Sequence, residues 1–389
     1  MTAYTNRAVD EICSMLEDAG IDYLRVGYEA SCDPRFADRL IDRVIARNPR
    51  LDDIRQQIQD TRVIVSTTSM LQSRSFLLEM KHFSLCIVDE ASQILEPNII
   101  GLLTSDSIDR FILIGDHKQL PAVVQQPDDD PSLHDCRLSL FERLLRQEHE
   151  AGREAFTAIL RRQGRMHPDI AAFPNEFFYA REQLRPVPLP HQEETELDYR
   201  QPSEDHLDDL LKQHRVLFFD SSFHIPHSSF HTPHSTLHIP HSSFLTSDKV
   251  NPAEATLVAD LLRRIHRQYG ERFDAAKTVG VIVPYRNQIA MIRREIAKLD
   301  IPQLLDISID TVERYQGSQR DVIIYSFTIR RPYQLDFLTA NCFVEDSRTI
   351  DRKLNVAMTR ARKQLLMTGK ADVLQQNSIF KELIHRYSI

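Results

Sequence analysis

Three short runs, RVIVSTT (62–68), SLCIVDE (84–90) and RFILIGD (110–116), are apolar throughout and end on small polar or acidic residues. A strand with one face in water alternates apolar and polar residues, whereas a strand without alternation needs both faces covered. Parallel strands covered by their own crossover helices meet that need. A helical pattern at 7–19 precedes the runs, and another at 137–149 follows them. A second series comprises FTAIL (156–160), RVLFF (215–219), TVGVIVP (278–284), DVIIYSF (321–327) and QLLMTG (364–369). Helical patterns lie around 253–269, 285–298 and 351–362. The expected fold class is α/β, with two consecutive units of mostly parallel sheet at 1–150 and 151–389. Residues 24–60 read as a short helical insertion on the first.

Composition narrows the class further. The 389 residues are 42% hydrophobic and 27% charged, enough apolar material for two ordinary cores. No apolar run approaches the roughly 20 residues of a membrane helix, and MTAYTNRAVDE has no export pattern. Cys13, Cys32, Cys86, Cys136 and Cys342 are scattered without a CxxC pair. That spacing argues against a disulfide framework or zinc site and leads us to expect a reducing, cytoplasmic setting. A net charge of −8 gives no global basic footprint, so any nucleic-acid contact must come from local cations and backbone amides.

From His224 the chain reads HIPHSSF, HTPHSTL, HIPHSSF, which holds six of its histidines. A proline in every unit forbids regular helix and disfavours a central strand, so 221–247 reads as a low-complexity loop. Binding of Zn²⁺ or Ni²⁺ by these histidines is the alternative. The composition offers little apolar surface to repay ordering, and long loop insertions cost little closure entropy. Deleting 224–244 is expected to leave the melting temperature nearly unchanged. A fall of many degrees would show that the repeat packs on the core.

The candidate chemistry sits at the strand ends. Asp89 and Glu90 close one apolar run, at the sheet edge where ligands of open α/β folds bind. An aspartate there could hold Mg²⁺, and the adjacent glutamate could polarise water for attack on a γ-phosphate. The next strand end, RFILIGDHKQLPAVV, offers Gly115 for a tight turn, Asp116 as a further carboxylate and Gln119 as a phosphate-sensing amide. In the second half LRRQGRMHP sets Arg165 in a polar turn, and LNVAMTRARKQ sets Arg360 and Arg362 on an expected helix. Guanidinium groups of this kind neutralise charge on a transferring phosphoryl group. In DTVERYQGSQRDVIIYS, Thr311, Gln316 and Gly317 suit contact with a sugar–phosphate backbone.

These segments together resemble the motor core of a superfamily 1 helicase, in the branch of the nonsense-mediated-decay RNA helicase and the replication helicase–nucleases. AYTNRAVDEI resembles motif Ia, STTSML motif Ib, VDEAS motif II and GDHKQLPAVV motif III. RRQGRMHPDIAAFPNEFFY resembles the QYRMHP segment, with Gly164 where the family has an aromatic residue. GVIVPYRNQ resembles motif IV, DTVERYQGSQRD motif V and LNVAMTRAR motif VI, all in family order. The resemblance implies two RecA-like P-loop domains that hydrolyse ATP with Mg²⁺ and move 5′→3′ on single-stranded DNA or RNA. By motif, Asp89 binds Mg²⁺, Glu90 is the catalytic base, Gln119 senses the γ-phosphate, and Arg165 and Arg360 are the arginine fingers. Asp116, Gln316 and Gly317 belong to the nucleotide site. Thr5, Asn6, Thr67, Thr68, Tyr285 and Thr311 touch the nucleic acid.

One motif is missing. No Gly-x-x-x-x-Gly-Lys-[Ser/Thr] loop occurs, and the lone Gly-Lys, at Gly369-Lys370, is followed by Ala371. Without the loop, the amides and lysine that grip the β- and γ-phosphates are lost. On this reading the chain is the C-terminal part of a larger ATP-dependent helicase, with a first sheet lacking its central strand. The alternative is a catalytically inactive nucleic-acid-binding remnant.

Overall fold

The computed structural model describes residues 1–47, 50–122, 124, 138–222 and 248–388. The histidine repeat and Cys136 lie outside the described residues. The chain divides into two compact units, Met1–Ala158 and Ile159–Ile389.

The first unit is a five-stranded sheet of β1 (Thr2–Ala3), β2 (Leu24–Val26), β3 (Ile64–Thr67), β4 (Cys86–Asp89) and β5 (Phe111–Leu113). Its order is β2-β3-β1-β4-β5, and every pairing is parallel. The helix Asn6–Asp18 buries Val9, Ile12, Cys13 and Leu16 in one cluster with Val65, Tyr23 and Phe36. A separate cluster gathers Val88, Leu71, Leu77, Ile54 and Leu102. Val65 and Val88 thus face different layers, and both faces of the sheet are covered at its centre, while β5 at the edge leaves Ile112 47% exposed. Wholly apolar runs serve here because each fully buried aliphatic side chain contributes about 1.5–3 kcal/mol.

Among the described strands β1 lies in the middle, pairing Ala3 with Thr67 on one side and Asp89 on the other. One expectation changes. Residues 24–60 are not a purely helical insertion, since Leu24–Val26 forms the edge strand and all three residues are buried. Its apolar residues are too few to show a period of two.

The second unit opens with a small parallel pair, β6 (Arg162–Gln163) and β7 (Arg185–Pro186). Its main strands are β8 (Val216–Asp220), β9 (Val279–Val283), β10 (Ser308–Thr311) and β11 (Arg320–Ser326). An antiparallel hairpin, β12 (Cys342–Glu345) and β13 (Arg348–Asp351), precedes β14 (Ala361–Gly369). The main sheet runs β10-β9-β11-β14-β8, parallel throughout. Against it packs the helix Pro252–Tyr269, started by the Asn251 side chain and Pro252 and ended at Gly270, with φ 55°. Val258, Leu261, Leu262 and Ile265 of this helix meet Val279, Val281, Val322 and Leu366 of the strands.

Two further expectations are corrected here. FTAIL is not a strand: Phe156 is 86% and Leu160 80% exposed, and among the described residues no strand pairs with the segment. The helix over 351–362 ends at Met358. Thr359 Oγ1 turns back to the Asn355 carbonyl at 2.8 Å, and the chain enters β14 at Ala361. Arg360 therefore lies in a turn, and Arg362 in a strand. No described helix is long and apolar enough to cross a membrane.

Candidate functional site

In the first unit the two strand ends are brought together. Asp89 is the last residue of β4, paired in register with Ala3. Burial pushes its carboxyl above the usual aspartate range, against a hydrogen bond from the Glu90 backbone. Removal from water disfavours the charged form, and a bound cation would restore it. Among the described residues no three His, Cys, Asp or Glu side chains cluster as a metal cage. The donor set nevertheless fits Mg²⁺, which keeps most of its waters and binds through one or two carboxylates plus phosphate oxygens.

Glu90 turns the chain sharply out of the sheet in the left-handed conformation, φ 51° and ψ 37°. Non-glycine residues adopt that conformation at a cost, and such residues concentrate at working sites. Gln93 Nε2 donates to Glu90 Oε2 at 2.6 Å and aims the carboxylate.

The β5 end folds against this turn. The Ala91 amide donates to the Ile114 carbonyl at 2.7 Å, and the Asp116 amide to Ser92 Oγ at 3.2 Å. The close approach requires Gly115, where a Cβ would stand 2.8 Å from the Ser92 nitrogen. Asp116 then organises its own loop, accepting from the Lys118 amide at 2.9 Å and from Gln119 Nε2 at 3.0 Å. Asp89, Glu90, Asp116 and Gln119 thus belong to one hydrogen-bonded pair of turns. Ser92 and Gln93 were not singled out in the sequence, although a polar pair one residue beyond two carboxylates was the available signal.

In the second unit Arg165 is half-buried, its Nε donating to Gln319 Oε1 at 3.1 Å and Nη1 to the Thr359 carbonyl at 3.3 Å. Arg360 is only 2% exposed, with Nε on the Val356 carbonyl at 3.1 Å. Its guanidinium caps the preceding helix rather than standing in solvent. Gln316 Nε2 is buried without a hydrogen-bond partner among the described residues, a donor suited to a ligand oxygen. Gly317 has φ 78°, which favours glycine.

The expected nucleic-acid contacts divide. Thr5 and Asn6 are exposed at a helix start, where Thr5 Oγ1 accepts from the Ala8 amide at 3.2 Å. Thr67 is half-buried and caps the next helix through the Met70 amide at 3.2 Å. Thr68 is wholly buried and Thr311 is 8% exposed, so neither presents its side chain as a surface contact. Tyr285 is 9% exposed and stacks on Phe337, centroids 4.7 Å apart. Packing absorbed these three because each sits where a strand passes into a helix against the core.

The main-sheet edge of this unit holds a buried carboxylate that the motifs do not include. Glu254 accepts from Asn251 Nδ2 at 2.8 Å, Ser326 Oγ at 2.6 Å, the Thr328 amide at 2.9 Å and Thr368 Oγ1 at 3.1 Å. It thereby ties the ends of β11 and β14 and holds Thr328 at φ 65°. Burial pushes its carboxyl up to about 7, with these bonds opposing. Asp351 is raised to about 6 by burial too. A folded-state value above the unfolded one stabilises fully below the unfolded value and is lost as pH rises through the folded one. The melting temperature is therefore expected to fall between pH 5 and pH 8, with Glu254 accounting for on the order of 3 kcal/mol. Glu254→Gln should flatten this slope. An unchanged slope in that variant would refute the assignment.

Comparison with known proteins adds family context. Two family models, each described as an AAA domain, match residues 42–127 and 136–372. A DNA replication ATP-dependent helicase/nuclease of Arabidopsis thaliana is 26% identical over 99% of this chain and 26% of its own length. Its namesake from Xenopus laevis is 28% identical over 99% of this chain and 34% of its own length. An uncharacterised ATP-dependent helicase of Methanocaldococcus jannaschii is 28% identical over 86% of this chain and 43% of its own. The chain thus spans under half the length of these relatives. A solved arterivirus helicase is 15% identical, covers 96% of this chain and 54% of its own, and has a TM-score of 0.44.

Proposed function

The chain belongs to the AAA-domain family and has a superfamily 1 helicase-like core of RecA-like α/β units, and from that premise we propose that it is part of an ATP-driven motor moving 5′→3′ on single-stranded nucleic acid. The observation that carries the reading is the joined pair of strand ends in the first unit, where Gly115 lets the Asp89–Glu90 turn meet the Asp116–Gln119 loop. DNA is the proposed substrate, in keeping with the names of two relatives.

In this mechanism Asp89 would hold the cation, which would offset charge on the phosphates. Glu90, aimed by Gln93, takes a proton from the attacking water. Gln119, tied to Asp116, responds to the terminal phosphate. Arg165 stabilises charge on the transferring group, and Gln316 offers its unpaired amide to a ligand oxygen. When bound, MgATP supplies the phosphoryl group and neutralises its charge. Thr5, Asn6 and Thr67 contact the sugar–phosphate backbone through hydroxyl and amide groups, which position without reading sequence.

The second reading is a nucleic-acid-binding remnant without turnover. It is favoured by one observation: these 389 residues contain no Gly-x-x-x-x-Gly-Lys-[Ser/Thr] loop. ATPase assays with single-stranded DNA and RNA separate the two. Binding of nucleic acid with no turnover, even after such a loop is joined to the chain, would favour the remnant.

A further inference from the structure

The turn that carries Arg165 is held by a segment outside every motif quoted from the sequence. The four-residue helix Pro190–Glu193 places His191 and Gln192 beneath the turn, 7% and 3% exposed. His191 Nε2 lies 2.9 Å from the Arg165 carbonyl oxygen, and Arg362 Nη2 lies 3.4 Å from His191 Nδ1. An arginine nitrogen can only donate and a carbonyl oxygen can only accept. The two contacts are therefore satisfied together by one species, the neutral imidazole with its proton on Nε2. Arg362 is itself oriented by Asp321, Nη1 to Oδ1 at 2.8 Å. The result is a hydrogen-bonded chain, Asp321–Arg362–His191–Arg165, in which Arg362 and His191 donate and the Asp321 carboxylate and the Arg165 carbonyl accept.

Gln192 closes the other side. Its Nε2 donates to the carbonyls of Gln163, at 2.9 Å, and Met166, at 2.8 Å. Gln163 Oε1 accepts from the amides of Arg165 and Met166 at 2.9 and 2.7 Å. The backbone on both sides of Arg165 is thus clasped by polar side chains, His191 and Gln192 buried and Gln163 half-buried, and such networks lock a conformation when fully paired. A one-ångström displacement of a charge-stabilising group costs large factors in rate, so such support has functional weight.

We propose that His191, held in its Nε2–H tautomer by Arg362, is a positioning residue that sets the place of the Arg165 guanidinium. The importance of that placement for turnover rests on the role proposed for Arg165; the clasp itself does not.

The test uses residues 1–389 and needs no turnover. Two-bond ¹H–¹⁵N correlation spectra should show His191 as the Nε2–H tautomer; an Nδ1–H tautomer would overturn this hydrogen-bonded chain. His191→Ala should raise amide exchange at 163–167 about tenfold and shift the Arg165 Nε–H resonance, identified by its loss in Arg165→Lys. Exchange in β11 and β14 should stay unchanged. Glutamine can place an amide N–H where Nε2 lies, so His191→Gln should restore both signals. Unchanged exchange and an unmoved resonance in His191→Ala, or loosening spread across the whole second unit, would refute positioning. Should Arg165→Ala leave ATP turnover intact in a loop-bearing protein, the role of Arg165 fails, and these spectra still judge the clasp.

Discussion

Glu90→Gln should lower nucleic-acid-stimulated ATP turnover by about 10²–10⁴-fold while leaving nucleotide binding intact. The measurement needs the chain joined to a segment bearing a Gly-x-x-x-x-Gly-Lys-Thr loop, since residues 1–389 alone should turn over negligibly. Positioning supplies most of phosphoryl-transfer catalysis, and a cation at Asp89 cannot replace amides that fix the phosphates. Glutamine keeps the shape of Glu90 and can still meet Gln93 through its carbonyl oxygen. It cannot take a proton from water, so the loss should fall on kcat. Wild-type kcat in Glu90→Gln would end the base assignment, and robust turnover by residues 1–389 alone would show that phosphate grip does not require the loop. Arg360 should behave differently. Its burial and its bond to Val356 predict that alanine there costs stability as well as turnover.

A second large effect is expected from Arg264→Met. Arg264 is 3% exposed and bonds Asp205 through both Nη atoms at 2.7 Å, Asp208 at 2.8 Å and Asp260 at 2.8 Å. The Arg264 hydrogen bond holds the Asp205 carboxyl below the usual range. Asp208 is 1% exposed, so losing this guanidinium leaves a buried carboxylate with Arg267 as its remaining ion-pair partner among the described residues. Breaking one member of a buried ionic network costs about 3–5 kcal/mol, which for a unit of this size lowers the melting temperature by roughly 10 °C. Arg264→Lys should recover part of the loss, because it keeps the charge without the forked geometry. A change below about 2 °C in Arg264→Met would mean that the network adds nothing net, the outcome found for many exposed pairs.

The strands and their chemistry were legible for a local reason. RVIVSTT and SLCIVDE announce strands of the sheet interior through spacing alone, whereas RFILIGD reads the same way yet becomes an edge strand with Ile112 47% exposed. Hence Asp89, Glu90, Asp116 and Gln119 could be placed at strand ends before any coordinates. The tertiary structure decided whatever depends on a partner far along the chain. Thr2–Ala3 is too short to show a period, yet it becomes the central strand because Thr67 and Asp89 flank it. FTAIL has the composition of a strand but no neighbour to pair with among the described residues. Arg360 and Thr68 have surface-like residue types and are buried by the elements packed around them. The clasp on Arg165 joins His191 to Arg362 across 171 positions, a distance over which residue spacing carries no signal. Periodicity encodes how much of an element is covered, and only the packed chain selects what covers it.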